Sequence, residues 1–501
     1  MELFNLDRPI IELASSQERG SWNVRHALEG VQIFGGIGSG KTSGSGRMLA
    51  LKYLAQGFGG LVLTVKPDEK QAWQEYCRLT GRERDLLVLE PNGAHRFNFL
   101  QYESQQSQHS ITENIVEVLK TVIRAGEAKD SGKSDDAFWE TALDMLIFNV
   151  IDLCQLAYGK LSLQQMYDIV QTIPKSHEQL QTSAKEGEAK AFQQAFEAAR
   201  KRVTENMDEW FNRLPAHKQA ALQNEPDFEA ELLQALPEAR LLKFLDQFFF
   251  DSFISLSEKT RSIIDFTFSG FLFRLLREPV YSLFCRQDST LTPEDCWHGK
   301  IILLNLPVKL YHKVGRDCQI LFKYIWQRAM EKRPITASSR PVFLWADEAQ
   351  NFLHEHDADY QATARSSRIA TVYISQNLPN YYACMGGQKA EYRVKSFLGT
   401  LGTKIFHANA DIETNKYASE LFGDAYFEEE SHSVTVSQNF GQTKSKSLKL
   451  ERMVRAEEFV RLRTGGPLNN FRVEGYVHRQ GDPLLKGLNH TKMVFNQQYC
   501  T

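Results

Sequence analysis

Gly35-Gly36-Ile37-Gly38-Ser39-Gly40-Lys41-Thr42 is the stretch whose residue types and spacing can do chemistry most directly. It fits G-x-x-x-x-G-K-[ST] and follows at once on the apolar run Val31–Phe34. Glycines let the backbone curl so that successive N–H groups turn inward on phosphate oxygens. A lysine at the end of the loop reaches the β- and γ-phosphates, and the next hydroxyl can ligate Mg²⁺. The candidate nucleotide-binding set is therefore Gly35, Gly36, Gly38, Ser39, Gly40, Lys41, Thr42 and Ser43, with Thr42 also on the metal.

A phosphate cradle does not by itself separate an ATPase from a kinase or a GTPase. The second element is Val342-Phe343-Leu344-Trp345-Ala346-Asp347-Glu348, an apolar strand ending in two carboxylates. In P-loop enzymes the first holds the Mg²⁺ shell and the second can orient and deprotonate the attacking water. Asp347 and Glu348 take those roles here as candidates, although paired carboxylates after a strand also serve as a helix N-cap. A third element lies 28 residues beyond Glu348, where the run Ile369–Ser375 meets Gln376, a candidate sensor of the γ-phosphate. Arg365 and Arg368 fall between the two strands, and an arginine set against a neighbouring subunit's nucleotide would stabilise transition-state charge. Thr64-Val65-Lys66-Pro67-Asp68 lacks the Asn of a guanine-binding N-K-x-D, so GTP is disfavoured.

These residues need strands to carry them. Buried-type runs occur at Val31–Phe34, Leu61–Val65, Leu86–Leu89, Ile301–Leu306, Val342–Ala346, Ile369–Ser375 and Thr403–His407. They predict an α/β, RecA-like P-loop fold with a mainly parallel sheet and helices on both faces. Between residues 107 and 278 no strand pattern occurs, which predicts an inserted all-α domain. The nucleotide-binding domain is then split into 1–106, with the Gly-rich loop, and 279–501, with the paired carboxylates and Gln376. Inside the insertion Leu143, Leu146, Ile147, Val150, Leu153 and Ala157 recur at helical spacing, and Ser162 is placed to cap the next helix. Ser433–Leu450 alternates in period two around Asn439-Phe440-Gly441 and predicts a polar hairpin that carries Lys444, Lys446 and Lys449.

At 501 residues the chain has room for several domains of roughly 100–200 residues each. With 59 Lys+Arg against 62 Asp+Glu it is no general polyanion trap, so nucleic-acid contact must be local, as in a lined channel. The seven cysteines form no C-x-x-C pair, which argues against a zinc or disulfide scaffold and for a reduced, cytoplasmic setting. Asp7, Arg8 and Glu12 break the apolar runs at the start, excluding a signal peptide. Ala142–Gly159 carries Asp144, Asn149 and Asp152, and no window is expected to reach the roughly 20 apolar residues of a membrane span.

The order of these motifs resembles the type IV secretion coupling proteins, the TraG/TraD group of conjugative DNA-transfer ATPases within the FtsK/HerA assembly of ring motors. The resemblance runs from about Gly30 to Tyr476. It rests on Gly40-Lys41-Thr42-Ser43-Gly44, Lys66-Pro67-Asp68 near the family's D-x-K-G-E, and Phe97-Asn98-Phe99-Leu100 near its W-N-P-L. It continues with an insertion opening at Phe138-Trp139, Walker B as W-A-D-E-A-Q-N-F, Arg365 eleven residues before Gln376, and Glu451–Arg463 after the hairpin. The Lys-Pro-Asp order with no Gly after it, and the proline missing from Phe97-Asn98-Phe99-Leu100, depart from the family pattern. The resemblance implies ATP and Mg²⁺ bound by Lys41, Thr42, Asp347, Glu348 and Gln376, with Arg365 preferred over Arg368 as the finger reaching into the next subunit. It further implies a hexameric ring carrying DNA, an all-α domain that recognises a relaxase or other cargo, a relaxase or secretion-channel protein as partner, and membrane attachment through a partner. Family members typically begin with transmembrane helices, and this chain starts almost at the Gly-rich loop, as a soluble variant would. A DNA-processing or defence motor without a channel, and a nucleotide-switched adaptor, are the alternative readings.

Overall fold

The computed structural model describes the chain apart from residues 1–3, 15–18, 107–110, 131–136, 177, 178, 180–188, 223–227, 287, 386–388, 437–439, 482, 483, 486 and 501. It divides into two compact units. One comprises Met1–Val88, Glu127–Gly132 and Pro293–Thr501, the other Leu89–Gly126 and Lys133–Thr292.

The strands are β1 (Pro9–Ala14), β2 (Arg19–Asn23), β3 (Val31–Phe34), β4 (Gly59–Leu63), β5 (Leu86–Leu89), β6 (Ile301–Leu304) and β7 (Val342–Ala346). After these come β8 (Ile369–Ser375), β9 (Thr403–His407), β10 (Asp424–Val436), β11 (Phe440–Arg452), β12 (Arg472–Arg479) and β13 (His490–Asn496). Nine of them form one sheet in the order β13-β12-β9-β3-β8-β7-β4-β6-β5. From β9 to β6 neighbours run parallel, while β12 pairs antiparallel with β9 and with β13. Every residue of β3, β4, β6, β7, β8 and β9 is buried, as expected of strands covered on both faces. The register sets Phe34 beside Ser375 and Phe406, Ala346 beside Tyr373 and Leu63 beside Ala346. Gly35, Asp347, Gln376 and His407 therefore leave their strands along one edge of the sheet.

One face is packed by Trp22, Tyr53, Phe58, Trp73, Phe343 and Trp345 in a continuous aromatic cluster, with helix Arg47–Ala55 supplying Tyr53. Helix Val308–Lys332 carries a buried polar side chain, Gln319, that has work to do. Its carboxamide accepts from Thr64 N–H (2.7 Å) and donates to the carbonyls of Thr64 (2.9 Å) and Leu306 (2.8 Å), satisfying backbone groups where β4 and β6 end. Further along the same helix Lys323 Nζ lies 2.5 and 2.7 Å from the Asp357 carboxylate, with both side chains wholly buried. Gln327, Tyr373 and the His354 N–H also donate to Asp357. Burial alone would raise the Asp357 carboxyl, but His354, Lys323 and Gln327 outweigh it and hold it down at about 2. This cluster fixes the start of helix Asp357–Ala364, and with it the segment that follows the paired carboxylates.

The second unit is helical. Ala137–Tyr158 packs Leu146, Ile147, Val150, Ile151, Leu153 and Cys154 fully inside, against helices Leu163–Thr172 and Ala191–Arg213. The expected boundaries at 107 and 278 both lie within this unit, which also takes in β5's last residue and the Phe97 segment. Two expectations are corrected here. Phe138–Tyr158 is long and apolar enough to cross a membrane by length and composition, with 39% of its apolar window buried inside the structure. Ser162 precedes the helix as expected but makes no side-chain cap bond.

The hairpin β10–β11 is longer than its sequence signal, pairing Asp424 with Arg452 at one end and Val436 with Phe440 at the other. Asn439 and the side chain of Lys444 lie outside the described residues. Lys446 is paired with Glu428 (3.3 Å) and Glu430 (3.0 Å), and Lys449 with Glu451 (2.7 Å).

Removing one partner of the buried Lys323–Asp357 pair leaves an uncompensated charge in the core. Asp357→Ala should cost about 3–5 kcal/mol, read as a lowered melting temperature. The double change Lys323→Met with Asp357→Leu should recover most of it, and equal losses in the single and the double variant would show that the pair is not the cause.

Candidate nucleotide site

The loop after β3 is shaped by its glycines. Gly40 has φ +79°, and a Cβ there would lie 2.5 Å from Val473 Cγ2, so both backbone conformation and space demand glycine. The helix that follows opens with a wide turn, in which Gly46 N–H reaches back five residues to the carbonyl of Lys41 (2.9 Å). Such turns recur at functional sites. Lys41 is buried, and the Ser39 hydroxyl is buried without a hydrogen-bond partner among the described residues.

Thr42, from the loop, and Asp347, from the tip of β7, meet directly: Thr42 Oγ1 donates to Asp347 Oδ2 at 2.8 Å. Glu348 follows in left-handed backbone (φ 49°, ψ 51°), a conformation that costs a glutamate about 1–3 kcal/mol. The strain turns its side chain off the strand direction into a cluster of amides. Gln350 Nε2 donates to Glu348 Oε2 (2.8 Å), Gln376 Nε2 lies 3.3 and 3.4 Å from the two carboxylate oxygens, and Ser375 Oγ donates to Gln350 Oε1 (2.9 Å). Asn409 Nδ2 in turn holds the carbonyl of Gln376 (2.8 Å).

The electrostatics show what these groups could hold. Burial raises the Asp347 carboxyl above the usual carboxylate range; the Thr42 hydrogen bond and the Lys66 and Lys41 charges oppose this, and Glu348 adds to it. Glu69, in the first turn after β4, is pushed up to about 8 by burial and then by Asp347, against the Val65 N–H that donates to its Oε2 at 2.7 Å. Its Oε1 is buried without a hydrogen-bond partner among the described residues. Three carboxyl groups thus crowd a buried edge, one of them with an unpartnered oxygen, and a divalent cation on Thr42 and Asp347 is a group that would relieve their mutual repulsion.

Lys41, Thr42, Asp347, Glu348 and Gln376 are therefore brought together. Arg365 is not: it precedes β8, at the end of the strand opposite Gln376, roughly 20 Å away at the rise of a β-strand. Its side chain is 61% exposed and pairs with Glu29 (3.4 Å). Arg368 is buried with φ 53° and donates to the carbonyls of Ala337 (3.1 Å) and Ser339 (2.7 Å), which engages it within its own subunit. Sequence reading missed Glu69, Gln350, Asn409 and His407. Gln350 stands inside the W-A-D-E-A-Q-N-F run, and Glu69 directly after Lys66-Pro67-Asp68.

His407, at the end of β9, supports the loop from below. Its Nδ1 lies 2.8 Å from the carbonyl of Glu474 and must carry the proton, so Nε2 accepts from the Ser45 hydroxyl (2.7 Å). Burial holds its pKa down at about 4, against the Glu474 hydrogen bond and with the help of the Lys41 charge.

Residues 341–464 match the family model described as the TraM recognition site of TraD and TraG. Across the whole chain, the fold matches the bacterial conjugative coupling protein TrwBdeltaN70 with a TM-score of 0.61 at 12% identity, covering 98% of this chain and 89% of that one. The chain has the coupling-protein fold. The resemblance to the TraG/TraD group that the motif order carries is thereby borne out, and so is the α/β, RecA-like class with a helical domain. Coupling protein TrwB in complex with the ATP analogue ADPNP matches at TM-score 0.58 and 13% identity over 95% of this chain and 88% of that one. Its complex with ADP and Mg²⁺ matches at 0.59 and 13% over 96% and 88%. A comparison with curated proteins finds no match.

The buried neutral His407 makes this coupling-protein fold sensitive to acid. An unfolded histidine binds its proton near pH 6.5 and the folded one near 4, so between those values the unfolded state holds the extra proton and stability falls as pH falls. The slope is at most about 1.4 kcal/mol per pH unit for each such histidine. His407→Gln should lower the melting temperature at pH 7.5 and flatten its dependence between pH 6.5 and 4.5. An unchanged slope would place the proton uptake elsewhere.

Proposed function

We propose that this chain is an ATP-hydrolysing motor of the coupling-protein kind, moving DNA or a nucleoprotein toward a type IV secretion channel from the cytoplasmic side. The observation that carries the reading is the meeting of Lys41, Thr42, Asp347, Glu348 and Gln376 on one sheet edge, with Glu348 already aimed by two glutamine amides. The nucleotide complexes of TrwB, which has the same fold, support ATP and Mg²⁺ as the ligands.

ATP would lie with its phosphates along the N–H groups of residues 35–43 and Lys41 against the β- and γ-phosphates. Mg²⁺, held by Thr42 and Asp347, would supply charge neutralisation at those phosphates. Glu348 holds the attacking water and takes its proton as the water oxygen bonds the γ-phosphorus. The bond to the bridging oxygen breaks and ADP leaves with the electron pair. Gln376, bonded to both the Glu348 carboxylate and the Asn409 segment, reports γ-phosphate occupancy to β9. Arg365, exposed and remote from its own site, fits a finger for the neighbouring subunit, which calls for a ring, taken as a hexamer. Arg368 has no freedom for that role. DNA, a relaxase or other cargo bound through the helical unit, a secretion-channel protein, and membrane attachment through a partner complete the reading.

Steady-state ATP hydrolysis by the purified chain, with and without single- and double-stranded DNA, tests it. Turnover should rise with DNA and fall about 100-fold or more in Lys41→Ala and Glu348→Gln. Arg365→Ala should lower turnover by a similar or larger factor while leaving ADP affinity unchanged. DNA affinity should drop steeply between two salt concentrations. Nucleotide binding without turnover under any DNA condition would replace the motor by a nucleotide-switched adaptor.

A further inference from the structure

β3 divides the site edge into two sides. Toward β8 and β7 lie Gln376, Glu348 and Asp347, which mark the γ-phosphate end of a nucleotide. The α-phosphate end must then leave the loop toward β9, β12 and β13. That side is walled closely: a Cβ on Gly44 would lie 3.3 Å from Val473 and 3.4 Å from Phe495, and one on Gly40 would lie 3.2 Å from the carbonyl oxygen of Thr464.

One polar side chain bridges this wall to the loop. Gln497, just beyond β13, accepts from Gly466 N–H through Oε1 (2.7 Å) and donates through Nε2 to Ser43 Oγ (2.6 Å). A backbone N–H can only donate, so the orientation of the carboxamide is settled by Gly466, and the atom facing Ser43 is a donor. Ser43 Oγ therefore accepts, and its own proton is left to point elsewhere. Ser43 is exposed and follows Thr42 in the first turn of the helix, on the side away from Asp347. The segment on the other end of the bridge is well held: Phe471 N–H donates to the carbonyl of Gly466 (2.8 Å), Gln497 N–H to that of Phe471 (2.8 Å), and Asn469 Nδ2 to that of Gly465 (3.1 Å).

We propose that Gln497 is a positioning residue for the nucleotide: by donating to Ser43 it turns the Ser43 hydroxyl proton outward to the α-phosphate, and so makes β12–β13 the wall for the nucleoside end of the site. The inference rests on the nucleotide reading above. Gln497 touches no reacting atom, so its loss should act on binding and spare the chemical step.

Calorimetric binding of Mg-ADP to the full chain tests it, with melting temperature as the check on folding. Gln497→Ala and the shape-conserving Gln497→Met should each weaken ADP about tenfold, the scale of one hydrogen bond to a charged group. Ser43→Ala should weaken it to the same degree, and Ser43→Ala with Gln497→Ala should lose no more than about twofold beyond Ser43→Ala, because both act on one contact. In hydrolysis assays Gln497→Met should raise KM for ATP by the same factor with kcat little changed. Folded Gln497 variants that bind ADP within twofold of the unsubstituted chain would overturn the proposal alone, as would losses that multiply in the double variant. An unsubstituted chain that binds neither ADP nor ATP would overturn the nucleotide reading, and this proposal with it.

Discussion

The register between β3 and its parallel neighbours is the constraint on which the site depends. Phe34 stands level with Ser375 and Phe406, and Ala346 with Tyr373. Because every side chain in these strands is buried, a slip of one residue would turn each of them to the opposite face, at a cost no local rearrangement could offset. The hydrophobic packing thus fixes the height at which the strands end, and the end residues inherit that precision. The 2.8 Å contact between Thr42 and Asp347, which lie 305 residues apart in the chain, follows from it.

The central strands were readable because parallel strands buried on both faces appear as short runs rich in apolar and β-branched residues, without a polar face in period two. Val31–Phe34, Val342–Ala346, Ile369–Ser375 and Thr403–His407 are such runs, and the structure has them with the same bounds. β12 and β13 were not. Arg472–Arg479 alternates buried Val473, Gly475 and Val477 with half-buried Glu474 and Tyr476, and His490–Asn496 alternates likewise, as antiparallel strands near a sheet edge do, at a strength that loops share. The site divides the same way. Lys41, Thr42, Asp347 and Glu348 sit in motifs whose spacing is itself the signal. Asn409 and His407 belong to no motif, and Gln350, although inside the W-A-D-E-A-Q-N-F run, takes its role only from the fold, which sets all three beside a loop hundreds of residues away.

Polar side chains do the joining that apolar packing cannot. Gln319 closes the backbone at the ends of β4 and β6, the Lys323–Asp357 cluster fixes the segment after Glu348, and His407 carries the carbonyl of Glu474 to Ser45. Each is deeply buried and each links elements far apart in sequence, so each costs desolvation and returns a single defined arrangement. The left-handed backbone at Glu348 belongs with them. Its strain is tolerated because the strand before it and the amides around it leave the carboxylate one place to go.

The packing of Gly40 and Gly44 on Val473, with Gln497 on Ser43, has a bearing on how the protein comes to exist in the cell. The glycine loop emerges from the ribosome about 430 residues ahead of the wall it leans on. Until that wall is synthesised, the loop is an open, glycine-rich segment with nothing to set its curvature. Contacts of such sequence separation form late in folding. A partly made chain, or one broken off before residue 473, would carry the whole phosphate-binding motif and still lack the surface that shapes it. A finished cradle therefore implies that synthesis has passed Gln497.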